Sequence, residues 1–228
     1  MSQSRKHAPK SSPGRAAGPR AVDARERIHR IVEAAVALAD EGGFEGVRTR
    51  DVCERAGVSM SALYRVFHSK EEILLSAFAE DLLLLEAHVA RRPVEGETPE
   101  LRVGRFFRFA TGAFLERPSY ARAVIAAMGS GQSRSLAQLE AVVHRMTKLI
   151  DDAITARGTD GSWERDPEDP ERAAIVLHRV WFALLVGWSA SVYSTEQVFR
   201  ELDLTARFVL NEGRRARIER ADRTRGGE

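Results

Sequence analysis

From Asp23 to Glu41 the apolar residues Ile28, Ile31, Val32, Ala35, Leu38 and Ala39 return every three or four positions, the spacing of one buried helix face. Gly42-Gly43 follows, and glycine accepts the left-handed conformation in which helices end. Two shorter apolar-spaced pieces come next. Val52 and Ala56 would face inward from a second helix capped by Thr49, with Asp51 near its positive end. Gly57 allows a sharp turn, Val58 plugs the corner, and Ser59 caps a third helix whose inner residues are Leu63 and Phe67. Ser69, with Glu72 three residues on, forms a capping box for a fourth helix that buries Ile73, Leu74, Ala77 and Phe78. Isolated helices below roughly 12–15 residues are marginal in water. The second and third must therefore share a core with the first, in a unit complete near Lys70.

The remainder carries the same helical spacing, with no strand alternation of useful length and no internal repeat. Thr98-Pro99-Glu100 starts a helix that runs from Leu101 to Glu116. Phe106, Phe107, Phe109 and Phe114 fall on more than one side of it, so neighbours must enclose it. Arg117-Pro118 stops it, and a short helix spans Ser119 to Met128 before the loop Gly129-Ser130-Gly131. Leu136, Leu139, Val142, Val143, Met146, Ile150 and Ala153 mark another long helix, then residues 158–170 read as a polar loop. Helices from Glu171 to Tyr193 and from Thr195 to Arg220 close the chain. The pattern predicts an all-α protein in four parts: an arm at 1–22, a three-helix unit at 23–70, a larger helical domain at 71–215, and a tail at 216–228.

Net charge, +2 over 228 residues, decides nothing, but its distribution does. Residues 1–22 carry Arg5, Lys6, Lys10, Arg15 and Arg20 without an acid, among Ser, Pro and Gly; that is the composition of a disordered basic arm. The stretch from Arg214 to Arg225 is similarly Arg-rich. Both suit a polyanion such as DNA, and both would equally serve as solubilising tails. One cysteine, Cys53, excludes an intrachain disulfide and fits a reducing compartment. Apolar runs such as Leu82–Leu85 fall far short of the ~20 residues that span a bilayer, and no signal-peptide core follows the basic start. A cytoplasmic protein is expected. HExxH, GxSxG, P-loop and dinucleotide-glycine patterns are absent, and six scattered histidines lack metal-ligand spacing. No catalytic residue, cofactor or metal is therefore expected, and a hydrolase of lipophilic esters is the weakest functional alternative.

Two short helices joined by a tight glycine turn form a helix-turn-helix, in which the first braces the second against a DNA major groove. With Leu63 and Phe67 inward, Met60, Ser61, Ala62, Tyr64 and Arg65 should lie outward or at the edges. Tyr64, Arg65 and Lys70 offer donors to phosphate oxygens. Ser59 and Ser61 permit close approach, Met60 can touch a thymine methyl, and Arg50 can reach a base or phosphate. Residues 23–70 hold equal numbers of basic and acidic side chains, so placement must carry any binding. A structural helix pair has the same spacing, and an all-helical adaptor that binds protein would too; Tyr64→Phe and Lys70→Ala separate that adaptor from a DNA binder.

The full string is more particular. Arg50-x-Val52, Arg55-Ala56-Gly57-Val58-Ser59, Leu63-Tyr64, Phe67 and Ser69-Lys70 resemble the DNA-binding domain of the TetR family of transcriptional regulators, over about residues 25–75. The resemblance implies a homodimer with an N-terminal helix-turn-helix and a C-terminal ligand-binding and dimerising domain, commonly a repressor of a palindromic operator. It puts Thr49, Arg50, Ser59, Met60, Ser61, Tyr64, Arg65 and Lys70 at DNA-contacting positions. Val66-Phe67-His68 departs from it, since many members carry an aromatic pair there. Val66 removes a phosphate donor, and His68 either replaces it or is a solvated turn residue.

For the C-terminal part the resemblance implies a pocket between the middle helices. Candidates to line it are Phe106, Phe109, Ala110, Phe114, Met128, Val142, Met146, Trp181, Leu184 and Trp188, nearly all apolar, which implies a hydrophobic effector. In a packed bundle the same residues would be ordinary core. The last two helices take the place of the dimer-forming pair. Trp181 and Trp188, seven apart, share a face that packs on the pocket or on the partner, flanked by His178 and Arg179. The stretches Val180–Trp188 and Leu202–Thr205, with Ala62-Leu63-Tyr64-Arg65, are similar to actinobacterial regulators of sterol and cholesterol catabolism. That likeness implies a steroid or acyl-CoA thioester effector.

Overall fold

The computed structural model describes residues 19–131, 136–155 and 170–225. Among these residues every regular element is helical: α1 Pro19–Gly46, α2 Thr49–Ala56, α3 Met60–Tyr64, α4 Lys70–Arg91, α5 Pro99–Leu115, α6 Pro118–Gly129, α7 Leu136–Thr155, α8 Pro170–Ser189 and α9 Thr195–Arg225. None of them is long and apolar enough to cross a membrane. The all-α architecture follows the hydrophobic spacing. α1 begins at Pro19, inside the expected arm, and α9 continues to Arg225, through most of the expected tail. Residues 1–18 of the arm, 158–169 of the polar loop and 226–228 of the tail lie outside the described residues.

Glycine sets the corners of the N-terminal unit. Gly43, at φ 61 and ψ −156, breaks α1 where the sequence puts its stop. Gly57, at φ 63 and ψ 41, ends α2 in the left-handed region, its N–H donating to the carbonyls of Cys53 and Glu54. The chain then turns directly into α3, whose N-cap Ser59 accepts a hydrogen bond from the Ala62 amide at 3.2 Å. Ile31, Val32, Ala35, Val47, Val52, Ala56, Leu63 and Phe67 are buried together beneath these helices. Thr49 does not cap α2; it is the first helical residue, and Arg48 precedes it without a side-chain cap. Ser69 does cap α4, accepting from the Glu72 amide at 3.2 Å. The Glu72 carboxylate reaches back to the His68 amide at 2.7 Å, one residue before the position a standard capping box would use.

α4 leaves this unit and packs against α1, α6 and α7, while α5 lies against α7 and α9. Gly104 lets α5 and α9 approach closely: a Cβ there would stand 2.9 Å from Asp203 Oδ1, and Arg108 one turn on forms an ion pair with the same carboxylate. Arg102 is buried, yet every nitrogen of its guanidinium donates to a carbonyl: Nε to Ala153 at 3.0 Å, Nη2 to Ile154 at 2.7 Å and Nη1 to Gly96 at 3.1 Å. It thereby satisfies the carbonyls that the end of α7 leaves without intrahelical partners, where a cation also complements the helix dipole. α8 ends at Ser189, four residues before the expected Tyr193. Ser191 turns at φ 61, and the Tyr193 ring lies back over Gly187, where no Cβ would fit.

The indoles of α8 face inward. Trp181 Nε1 donates to Thr111 Oγ1 at 2.9 Å and Trp188 Nε1 to Thr195 Oγ1 at 3.2 Å. His178, only 6% exposed, is stacked on Trp181 with centroids 5.8 Å apart and has Nδ1 3.3 Å from Thr147 Oγ1. Of the two residues that flank the tryptophan face, His178 thus belongs to the core, whereas Arg179 is exposed. Burial, with Arg179 adding repulsion, lowers the His178 pKa from 6.5 to about 4.

Two outcomes follow from this packing. Gly57→Ala should destabilise the protein by about 1–2 kcal/mol, the cost of a Cβ in the left-handed region, with Gly57→Asn costing less; denaturant titration measures both. For His178 the unfolded chain binds its proton first as pH falls, so stability is complete above about 6.5 and declines toward about 4. The full difference is on the order of 3 kcal/mol, and His178→Gln should flatten that limb of the pH profile; an unchanged slope would show that another group controls it.

Candidate nucleic-acid interface and ligand clefts

The outer face of α3 is open. Met60 is 38% and Tyr64 46% exposed, and Ser59, Ser61 and Arg65 stand with them on the surface. The Ser59 and Ser61 hydroxyls lie 3.1 Å apart, and Arg65 Nε donates to the Ser61 carbonyl at 3.3 Å. Its stem therefore runs back along the helix. Leu63 and Phe67 are buried as expected, but so is Ala62, at 8% exposure. On a helix of 100° per residue the adjacent positions 62 and 63 fit within one wide buried stripe, and the small side chain is what lets α3 sit close. Arg50 is exposed at the start of α2, and Thr49 is half-buried beside it.

Lys70 is placed differently from the other candidates. Its side chain is 23% exposed, and its ammonium donates to the Phe44 carbonyl at 3.0 Å while standing 3.7 Å above the Phe44 ring. Glu45 is 3.8 Å away. Lys70 thus clamps the start of α4 to the end of α1. Arg55 is also engaged within the unit, in an ion pair with Glu41 at 2.9 Å. The His68 ring is more than half exposed and lies 3.4 Å from the Glu72 carboxylate, so it belongs to the turn before α4.

Among the described residues three clefts open in the C-terminal part; one, between α4 and α7, is walled by Val89, Val94 and Leu149, and the other two bear on the expected pocket residues. The first of these two, of about 300 Å³, lies between α4, α5 and α6. Its apolar walls are Phe78, Leu82, Leu84, Leu85, Phe109, Ala110, Ala113 and Phe114, with His88 stacked on Phe109 at 4.6 Å. Its polar corner is Asp81, Arg117 and Tyr120. The Tyr120 hydroxyl donates to Asp81 Oδ2 at 2.7 Å, and the Arg117 guanidinium lies 4.6 Å from the Tyr120 ring centre. Arg117 also donates through Nε, at 3.2 Å, and Nη2 to the two oxygens of Asp40 on α1. Desolvation raises the Asp81 pKa, opposed by the Tyr120 hydrogen bond and the charge of Arg117. Burial and the Asp81 charge push the Tyr120 phenol far up, so it stays a donor. The second cleft, of about 430 Å³, lies between α6, α7 and α8, lined by Met128, Leu139, Val143, Thr147, Ile175, His178, Arg179 and Phe182.

The ten expected pocket residues divide. Phe109, Ala110 and Phe114 line the first cleft, and Met128 lines the second. Phe106, Val142 and Met146 are sealed in the core, Trp181 and Trp188 are buried against Thr111 and Thr195, and Leu184 lines neither cleft. The sequence pattern marks a buried face without saying whether a helix or a void covers it. It missed α4 as a wall, although the Leu82–Leu85 run was visible, and it missed Asp81, Arg117 and Tyr120, which carry no local motif.

Comparison with known proteins bears on most of the chain. Residues 31–77 match the family described as bacterial regulatory proteins, tetR family, and residues 96–209 match the tetracyclin repressor-like C-terminal domain. The HTH-type transcriptional repressor KstR of Mycobacterium tuberculosis is 32% identical over 192 residues, covering 82% of either chain. Among solved structures, a TetR transcriptional regulator from Rhodococcus sp. RHA1 superposes with a TM-score of 0.71 at 23% identity, over 82% of this chain and 97% of that one. The Bacillus subtilis regulator FadR, solved in complex with stearoyl-CoA, gives 0.57 at 17% identity, over 80% and 97%. With an open helix-turn-helix at one end and a clefted helical domain behind it, and with both family matches covering most of its length, the chain belongs to the TetR family of bacterial regulatory proteins.

Proposed function

We propose that this protein is a cytoplasmic transcriptional repressor that binds a near-palindromic operator as a homodimer and releases it when a lipophilic molecule enters the cleft between α4, α5 and α6. The observation that carries the DNA-binding half is the outer face of α3: Met60, Ser61, Tyr64 and Arg65 are uncovered while Ala62 and Leu63 anchor the helix from behind. In this reading residues 23–70 are the DNA-binding domain and residues 71–215 bind effector and partner. Arg50 and Thr49 on α2 and Ser59, Met60, Ser61, Tyr64 and Arg65 around α3 make the DNA contacts.

The cleft is chosen over its neighbour because α4 forms one wall and begins at Lys70, inside the DNA-binding unit. An effector that wedges α4 from α5 would move that unit directly. Its volume stands at the low end of the range for ligand pockets, which suits a steroid skeleton or the acyl part of a thioester. The KstR relatives and the stearoyl-CoA held by FadR favour that class. Dimerisation is assigned to α8 and α9, which expose Val176, Val186, Leu204 and Phe208, large apolar side chains that a second copy would cover. Such a dimer presents two α3 helices roughly 34–36 Å apart, one turn of duplex. Shifting the DNA-competent state from 99:1 to 1:99 asks about 5.5 kcal/mol of differential affinity from the effector.

The deciding experiment is fluorescence anisotropy with DNA flanking the gene, with and without steroid and acyl-thioester metabolites. Salt-sensitive binding to a near-palindrome, relieved by one such class, is expected; no binding to any flanking segment would favour the adaptor reading. Tyr64→Phe and Arg50→Ala should each weaken operator binding by about 1–3 kcal/mol with the fold intact. Lys70→Ala should lower thermal stability along with affinity and leave the salt slope unchanged, whereas loss of a direct phosphate contact would reduce that slope by about 1. Phe208→Asp should yield monomers in sedimentation and a loss of operator affinity; a dimer that survives it would remove α9 from the interface.

A further inference from the structure

Building on the α4–α5–α6 cleft as the effector site, we infer that its polar corner accepts a neutral oxygen on an apolar skeleton, a ketone, ester or alcohol, and rejects a free carboxylate. Asp40, Asp81 and Arg117 set that choice. An arginine at the end of an apolar cleft is ordinarily a carboxylate anchor, because its two-pronged edge matches the anion. Here that edge is turned out of the cleft: Nε and Nη2 go to Asp40 on α1, and Nη1 is the nitrogen that Asp40 does not take. The charge of Arg117 is thereby balanced by Asp40, in a pair that stays partly open to solvent, before any ligand arrives.

Asp81 supplies a second carboxylate on the cleft wall, held by the Tyr120 hydroxyl at 2.7 Å. One guanidinium between two carboxylates leaves the corner with a formal excess of one negative charge. A ligand carboxylate there would face Asp81 in apolar surroundings, where charges are poorly screened. It could take the two-pronged edge of Arg117 only by displacing Asp40, and Nη1 alone offers it a single donor with Asp81 close by. A carbonyl oxygen needs just one donor, which Nη1 can provide, and a ligand hydroxyl could also donate to Asp81 Oδ1, the oxygen that Tyr120 leaves. His88 is the remaining ionisable group on the wall. It lies seven residues along α4 from Asp81, about 10 Å on a helix, and its ring is stacked on Phe109, so it does not neutralise the corner.

Matched probes test the inference on the full-length protein: methyl laurate, lauryl alcohol and laurate, each displacing bound Nile red at neutral pH. The ester and alcohol should bind at least about 10-fold more tightly than laurate. Asp81→Asn keeps an acceptor for Tyr120 while removing the charge, and should tighten laurate until the gap is about threefold or less. Ala113→Trp, which fills the cleft from α5, should weaken all three probes. Laurate binding as tightly as the ester in the native protein, or a preference that Asp81→Asn does not move, overturns the inference while leaving the cleft as the effector site. Undiminished probe binding to Ala113→Trp overturns the effector-site reading and this inference with it.

Discussion

A helix of five residues has no stability of its own, and the surface that reads DNA in this family is built on one. α3 exists because Leu63 and Phe67 are locked into the core formed with α1 and α2, because Gly57 turns the chain without strain, and because Ser59 satisfies the first free amide. Each of these contributions is worth about one or a few kcal/mol. Together they replace the cooperativity that a longer helix would supply. The side chains left over, Met60, Ser61, Tyr64 and Arg65, are open because every inward position is committed to holding the rod in place.

Helix existence and capping were legible in the sequence because they are local. Spacing located the helices, Gly43 and Gly57 marked the stops, and Ser59 and Ser69 were read correctly as caps. What failed depends on partners distant in the chain. Thr49 suited a cap by type, yet α2 starts on it. Lys70 reads as a phosphate donor, and its ammonium also donates a hydrogen bond to the Phe44 carbonyl 26 residues earlier, a partner that spacing does not reveal. Ten apolar residues were assigned to one pocket, and the structure divides them between two clefts and the core. An apolar face is the same string of letters whether a helix or a void covers it. Asp40, Asp81 and the Arg117–Tyr120 pair carry no local signal because they come from three places in the chain and meet only in three dimensions.

The end of α1 is a meeting point of the two halves of the protein. Lys70 reaches it from the start of α4, and Arg117 reaches it from the junction of α5 and α6 through Asp40. Both cations arrive at the negative end of the first helix, where unsatisfied carbonyls and the dipole favour positive charge. One of the two, Arg117, is also part of the cleft wall. The placement of α1 against α4 and against the α5–α6 junction is therefore held by polar contacts of fixed direction as well as by apolar packing, which tolerates sliding.

Cys53 has a place in this arrangement that its chemistry alone would not suggest. It is the chain's one thiol, buried on the inner side of α2, and burial pushes its pKa up. At 5% exposure, that sulfur meets a maleimide or disulfide reagent freely only when the packing around α2 opens. The protein thus carries a built-in reporter: the rate at which Cys53 is labelled follows the opening of the core around α2, independently of any added fluorophore.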